Sequence, residues 1–430
     1  MTPVSKTVSG SDTRTTTQIP ITMFFLRLLP LLAPKNRCCK HIYHQARPLR
    51  QQSGTNNDTM DVNQLDTPAL IVDLERMKRN LTTMQTCANE LNVSLRPHTK
   101  AHKIPQIAQM QISAGARGIC VAKLGEAEVM AQNGLDDILI TTPIAGERKI
   151  NRLVALRRRL QQHPRAKLIQ VIDHPTHVAA IAAAARRAGV TVDVMIEVES
   201  GQCRCGVAVG EDLTELVRLV CSTDGVRYAG LQAYSGHLQL VRGYDARHAR
   251  ARAAVVGLFD FIDSHLEPEG LAPPIVSGGG TGTFGAYQGL GFTEIQAGSY
   301  LFMDAAYEAI GDGNDATKNE EFEVALKVVS TVISTPSENR AVVDAGMKCL
   351  SIDLGMPKIE GVEGLRYQSG GDEHGIIHSD GERTGLTIGQ RVTMIPSHCD
   401  TTLNNFDTLH AVKNGVVVES WPILGRGRSD

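Results

Sequence analysis

Leu91-Asn92-Val93-Ser94-Leu95-Arg96-Pro97-His98-Thr99-Lys100-Ala101-His102-Lys103 is the stretch on which the reading of this chain turns. Leu91, Val93 and Leu95 alternate with polar residues, as in a strand with one apolar side. Pro97 stops that strand, because its ring fixes φ and removes an N–H. Lys100 follows three residues later, and a helical pattern begins at 104. Strand, polar turn and helix make one βα unit, and the turn is where barrel enzymes carry their chemistry. On a mostly apolar rim, desolvation and neighbouring cations are expected to lower the pKa of Lys100. The free amine is then a nucleophile toward an aldehyde. A lone lysine in a turn is far more often a surface residue, so its weight comes from what lies around it.

The same unit recurs. Strands are expected near 92–96, 118–122, 137–142, 167–172, 191–198, 226–233, 273–276 and 294–297. Helices are expected over 104–113, 124–133, 146–161, 175–188, 208–222 and 245–265, with a short one near 284–289. Ile138-Leu139-Ile140 and Val194-Met195-Ile196 are apolar without alternation, which suits a sheet covered on both faces. Eight such strands over roughly 200 residues indicate a (β/α)8 barrel, an α/β fold. A doubly wound open sheet would want a glycine fingerprint after its first strand, and none is present. Ahead of the barrel, Ala69-Leu70-Ile71-Val72 reads as a strand and 74–91 as a helix. Beyond about 315 the chain turns valine-rich and strand-like, as in Ala341-Val342-Val343 and Arg391-Val392-Thr393-Met394-Ile395, so an all-β domain is expected. The expected organisation is a leader over 1–60, a barrel over 65–315 and a β domain over 316–430.

Composition narrows the function. The 430 residues carry a formal net charge of −2, with 42% hydrophobic and 21% charged residues. That gives no argument for nucleic acid or an acidic membrane surface. Nine cysteines lack paired metal-ligand spacing, and a chain this long needs no disulfide framework. Residues 1–57 hold eight Lys or Arg and one acid, Asp12, and are rich in Ser and Thr. Such a leader reads as a transit peptide with a mitochondrial or plastid address, or as an extension without one.

The polar motifs fall at the C-terminal ends of the expected strands. Gly201-Gln202-Cys203-Arg204-Cys205-Gly206 follows the fifth, and Tyr234-Ser235-Gly236-His237 the sixth. Ser277-Gly278-Gly279-Gly280-Thr281-Gly282-Thr283 follows the seventh, and Gln296-Ala297-Gly298-Ser299-Tyr300 closes the eighth. A glycine turn after strand seven exposes N–H groups where barrels bind phosphate, and its hydroxyls add donors. Arg204 is either a surface ion-pair partner or a fixed cation facing a ring nitrogen. Tyr234 is either barrel packing or a site residue. His237, in a glycine loop, is the candidate base, and His98 and His102 are read as supporting hydrogen-bond groups. Far down the chain, Pro396-Ser397-His398-Cys399-Asp400 places His and Asp two apart. On an extended segment both point the same way and can share one metal ion.

Together, residues 96–103, 201–206, 277–283, 296–300 with Met303-Asp304, and 396–400 resemble the D-threonine aldolase and D-serine dehydratase family. These are pyridoxal-phosphate enzymes of the alanine-racemase fold type, and the likeness covers about 65 to 425. It implies a barrel plus β domain, a head-to-tail homodimer, pyridoxal 5′-phosphate and a divalent metal. It implies Lys100 as the Schiff-base lysine and Arg204 against the pyridine nitrogen. Tyr234, Ser277, Gly279, Gly280, Thr281 and Gln296 become cofactor contacts, and His398 and Asp400 metal ligands. The dehydratase branch typically carries His-x-Cys. The oxygen donor here suits Mn²⁺ or Mg²⁺, with Zn²⁺ the alternative, and resembles the aldolase branch. The activity so implied is retro-aldol cleavage of D-threonine and related D-3-hydroxy amino acids to glycine and an aldehyde. The alternatives are a D-serine dehydratase giving pyruvate and ammonia, and a non-catalytic cofactor carrier, which would lack the β domain. Cys203 departs from the small residue usual before the arginine.

Overall fold

The central strands read as unbroken apolar runs because both of their faces are buried. In the computed structural model, which describes residues 60–381 and 383–430, eight parallel strands form one sheet. They are Ser94–Leu95, Ile119–Val121, Asp137–Ile140, Lys167–Ile172, Val192–Glu197, Val226–Ala233, Val276–Gly278 and Glu294–Ile295. Cys120, Leu139, Ile169, Val171, Met195 and Ile275 pack together as one cluster. Their strand neighbours Ile119, Val121, Ile138, Ile140, Val194 and Ile196 join a second cluster, with the helices. Side chains still alternate between faces, but neither face meets water. The ring closes between the first two strands: His98 bridges Cys120, whose N–H donates to the Pro97 carbonyl at 2.9 Å. The expected barrel is borne out.

A buried ion cluster ties that closure together. Arg96 is fully buried and forks onto Glu294 with two bonds of 3.0 Å, while its other arm reaches Asp137 at 2.6 Å. Burial works against its charge, but Glu294 and Asp137 more than offset that and raise its pKa.

Helices cover the barrel much as the periodicity predicts, with one difference. The helix expected over 245–265 is broken into Tyr244–Ala253, Val256–Phe261 and a π-helical turn, Ile262–Leu266. Val255, Val256 and Gly257 sit at the break, and β-branched residues and glycine are poor helix formers.

The β domain centres on the long strand Leu326–Ser337, which pairs antiparallel with Arg340–Val343 and Arg391–Ile395. A correction concerns Ala69–Asp73, which falls inside the expected barrel segment. It pairs antiparallel with Leu326–Val329 and parallel with His410–Val412, so it belongs to the β-domain sheet. A short apolar run carries no signal for which sheet will accept it. Asp73 then accepts from the N–H groups of Glu75 and Arg76 and starts helix Leu74–Glu90, whose Met77, Leu81, Met84 and Ala88 are buried. The leader and its organellar address lie outside the described residues.

Candidate active site

Strand ends meet at the barrel rim around a cavity. Lys100, Arg204, Tyr234 and Gln296, all expected there, line it together with His98 and Gln232. The Lys100 Nζ and the Arg204 guanidinium carbon each lie 5.8 Å from the centre of the Tyr234 ring. Tyr234 is therefore within cation–π reach of both cations.

Lys100 is placed by the turn Thr99–Ala101. Its N–H donates to His98 Nδ1 at 3.3 Å, and the Thr99 hydroxyl donates to the Cys120 carbonyl at 3.0 Å. His98 Nδ1 is thus an acceptor, so Nε2 carries the proton and faces the Thr141 hydroxyl at 3.1 Å. Burial, then Lys100, hold the His98 pKa well below its usual range. Lys103 is engaged elsewhere, 3.3 Å from Glu126 and 2.9 Å from Asn404. The Lys100 amine forms no ion pair with any described carboxylate. Its pKa is not lowered, as desolvation alone would have it, but raised. Tyr234 is the main cause and Asp400 adds to it, against burial and Arg204.

Arg204 stands on a tight loop that Glu199 organises by accepting from the N–H groups of Gly201 and Cys203 at 2.5 and 3.1 Å. Cys203 takes a left-handed φ of 53°, so the departure from a small residue falls where the backbone is most constrained. Glu197 lies 3.5 Å from Arg204, and burial, partly opposed by Arg204, pushes its carboxyl pKa up.

The glycine turn stands behind Gln296. Gln296 Nε2 donates to the Ser277 hydroxyl at 2.9 Å and to Gln232 Oε1 at 3.1 Å. The Thr281 hydroxyl accepts from the Tyr300 N–H at 2.9 Å. The Gly280 and Gly282 N–H groups are taken by Thr283 and Gln239. Those of Gly279 and Thr281 meet no acceptor among the described residues. The expected donors thus divide: the Gly280 N–H serves the turn itself, the Ser277 and Thr281 hydroxyls only accept in these bonds and keep their O–H, and two N–H groups remain.

Across the rim, a second, more open cavity is lined by Lys100, Lys123, Ser351, Asp400 and Asn404 among others. The extended geometry expected for His398 and Asp400 is corrected: His398 caps a short helix, Cys399–Leu403, which contains Asp400. His398 Nδ1 lies 2.7 Å from Asp353 Oδ2. Cys399 is buried, and its N–H donates at 2.8 Å to Asp304, which is fully buried. Burial pushes the Asp304 pKa up to about 6. Among the described residues no three His, Cys, Asp or Glu side chains are grouped to hold an ion. His398 and Asp400 alone would offer an ion two protein ligands, one fewer than the three usual at a catalytic zinc.

His237, the expected base, stands beside the loop that carries Arg204. It is exposed in the turn Gly236–Leu238, which points it at the neighbouring loop, within 3.5 Å of where a Cβ on Gly201 would sit. It does not line the Lys100 cavity. Sequence reasoning passed over Thr141, Gln232 and Asp353, and took Asp304 only as part of a motif, without a role. Thr141-Thr142 directly follows Ile138-Leu139-Ile140, so the strand-end rule that found Tyr234 would have found it too. Asp353 gave no local signal.

An aldehyde cofactor bearing a phosphate asks for an uncommitted amine, a cation on the same wall and spare backbone donors. Lys100, Arg204 and the N–H groups of Gly279 and Thr281 meet those demands. His398 and Asp400 offer one nitrogen and one oxygen to a divalent ion.

Comparison with known proteins agrees. The alanine racemase, N-terminal domain family matches residues 72–306, and a serine dehydratase domain matches 325–412. A D-threonine aldolase from Arthrobacter sp is 38% identical, over 85% of this chain and 94% of its own. A 3-hydroxy-D-aspartate aldolase from Paracoccus denitrificans (strain Pd 1222) is 35% identical, over 86% and 94%. The crystal structure of D-threonine aldolase from Filomicrobium marinum superposes with a TM-score of 0.80 at 39% identity, covering 86% of this chain and 98% of that one. A D-serine dehydratase from Dictyostelium discoideum is more distant, at 26% over 84% and 96%. With nearly the whole length of these relatives matched in sequence and in fold, the chain belongs to the D-threonine aldolase and D-serine dehydratase family, built on the alanine-racemase fold.

Proposed function

We infer that the chain is a pyridoxal 5′-phosphate-dependent aldehyde-lyase that cleaves D-threonine and related D-3-hydroxy amino acids to glycine and an aldehyde, with a divalent metal, Mn²⁺ or Mg²⁺, assisting. The observation that carries this reading is that Lys100 lines both cavities, the barrel cavity with Arg204 and the outer one with Asp400. Relatives named for this cleavage are the more similar ones. When bound, the cofactor supplies the sink for the electron pair left by the broken Cα–Cβ bond. A divalent ion supplies Lewis acidity toward the β-hydroxyl.

The chain's own residues set the conditions. Lys100 must shed a proton from Nζ before it is a nucleophile, and Arg204 favours that loss while Tyr234 and Asp400 oppose it. Arg204 keeps its charge, so it opposes a second positive charge on the ring nitrogen it would face. His98 is held neutral beside Lys100 and so adds no further cation. Asp400 brings a hard oxygen donor to the outer wall.

The deciding assay offers D-threonine and D-serine separately and identifies products. Glycine with acetaldehyde from D-threonine is expected. Rapid pyruvate from D-serine with negligible glycine from D-threonine would replace the aldolase by the dehydratase. A homodimer and an organellar destination belong to the same reading. The first rests on the family likeness and the second on residues 1–57. Sedimentation velocity and a fluorescent fusion of the full chain test them.

A further inference from the structure

Resting on the metal reading above, we propose that Asp353 is a positioning residue that fixes the tautomer and direction of His398 for a divalent ion. Asp353 Oδ2 lies 2.7 Å from His398 Nδ1. Its other oxygen, Oδ1, accepts from the Ser351 hydroxyl at 2.5 Å and the Thr401 hydroxyl at 3.0 Å. Ser351 is itself held: its carbonyl accepts from the Ser397 hydroxyl at 2.7 Å, and its N–H donates to the Thr402 hydroxyl at 3.2 Å. The carboxylate therefore cannot turn away from His398 without giving up bonds at its far oxygen.

An ionised carboxylate only accepts hydrogen bonds, so His398 Nδ1 must carry the proton. The Nε2 lone pair is left for an ion. Carboxylate behind imidazole is the arrangement that orients metal-binding histidines and raises their basicity. The Thr401 bond adds a second effect. By holding both His398 and Thr401, Asp353 straddles Asp400 and sets the spacing of the two ligands. A mere surface pair would leave metal affinity untouched. A direct third ligand would use its oxygens on the ion and lose function on conversion to the amide.

The experiment titrates the purified full chain with Mn²⁺ and follows free Mn²⁺ by its electron paramagnetic resonance signal. Wild type, His398→Ala, Asp353→Ala, Asp353→Asn and Ser351→Ala are compared, with thermal unfolding as the control for folding. Asp353→Ala should weaken binding by about 10–100-fold. Asp353→Asn, whose amide oxygen still accepts from Nδ1, should recover most of that loss. Ser351→Ala, which frees only the far oxygen, should give a smaller measurable loss, and it carries the test if the alanine variant at 353 does not fold. Unchanged affinity in Asp353→Ala, or in Ser351→Ala where that variant carries the test, overturns the positioning role and leaves the metal reading standing. Asparagine as weak as alanine overturns it in favour of a direct ligand. No saturable binding by wild type, or binding by His398→Ala as tight as wild type, removes the metal reading and this proposal with it.

Discussion

The two walls of the site are held in different ways. On the barrel wall, Arg204 and Tyr234 follow strands that are hydrogen-bonded to parallel neighbours on both sides. On the β-domain wall, Asp400 rides a five-residue helix capped by His398. That helix is kept in place by bonds to Asp353 and Asp304, both distant in sequence. One wall gets its precision from a scaffold and the other from a few side chains. The barrel wall should therefore keep its ligand when the other wall is disturbed, while the β-domain wall should respond to single-atom changes.

The comparison is tested most severely at Lys100. Lys100→Ala should reduce turnover to background and abolish visible cofactor absorbance, whereas Lys103→Ala, three residues on but paired with Glu126, should keep that absorbance. Equal loss in both would mean that the turn, not the amine, matters. Next comes the barrel scaffold: Arg96→Met removes the buried cation from Glu294 and Asp137, leaves Glu294 only the partly exposed Arg117 at 3.5 Å, and should cost about 3–5 kcal/mol in urea unfolding. Chelation comes third. It removes several kcal/mol of charge stabilisation, so turnover should fall about 10²–10³-fold while the visible absorbance stays. A spectrum that bleaches with the metal would show that the walls are not independent.

The smallest effect is a pH dependence. His102 is fully buried, with Nδ1 accepting from the Ile104 N–H at 3.1 Å and Nε2 3.2 Å from Gln111 Oε1. Burial lowers its pKa to about 4. The folded state then binds fewer protons than the unfolded state between pH 6.5 and 4. Stability is full above pH 6.5 and falls with acid, by about 2 kcal/mol between pH 7 and 5 from this group. His102→Asn should flatten that slope in denaturation curves at the two pH values.

All eight barrel strands were legible because burial on both faces writes a run, and polar turns punctuate it. The β domain was harder. Leu365–Ser369 buries only Tyr367, so its alternation is faint. The partners of Ala69–Asp73 are set by pairing far along the chain, which no local window contains. Lys100, Arg204, Tyr234 and Gln296 could be placed by strand ends alone. The direction of the Lys100 pKa could not, since Tyr234 and Asp400 reach it only through the fold. His398 and Asp400 stood out by residue type, although the local geometry that suggested them was a strand and proved to be a helix cap. His237 followed the same strand-end rule as Tyr234 and stands on the next turn, Gly236–Leu238.

The pairing of Ala69–Asp73 also sets a timetable. This strand is made early, and its partners Leu326–Val329 and His410–Val412 are synthesised much later. At roughly 5–20 residues per second, the gap is on the order of tens of seconds. Throughout it, Ala69-Leu70-Ile71-Val72 is an apolar strand with open edges while the barrel forms behind it. Such an edge recruits other chains unless it is covered, so the growing polypeptide has to be shielded until its final strands emerge. A messenger truncated after the barrel would leave that debt permanently unsettled and yield aggregate in place of a smaller enzyme.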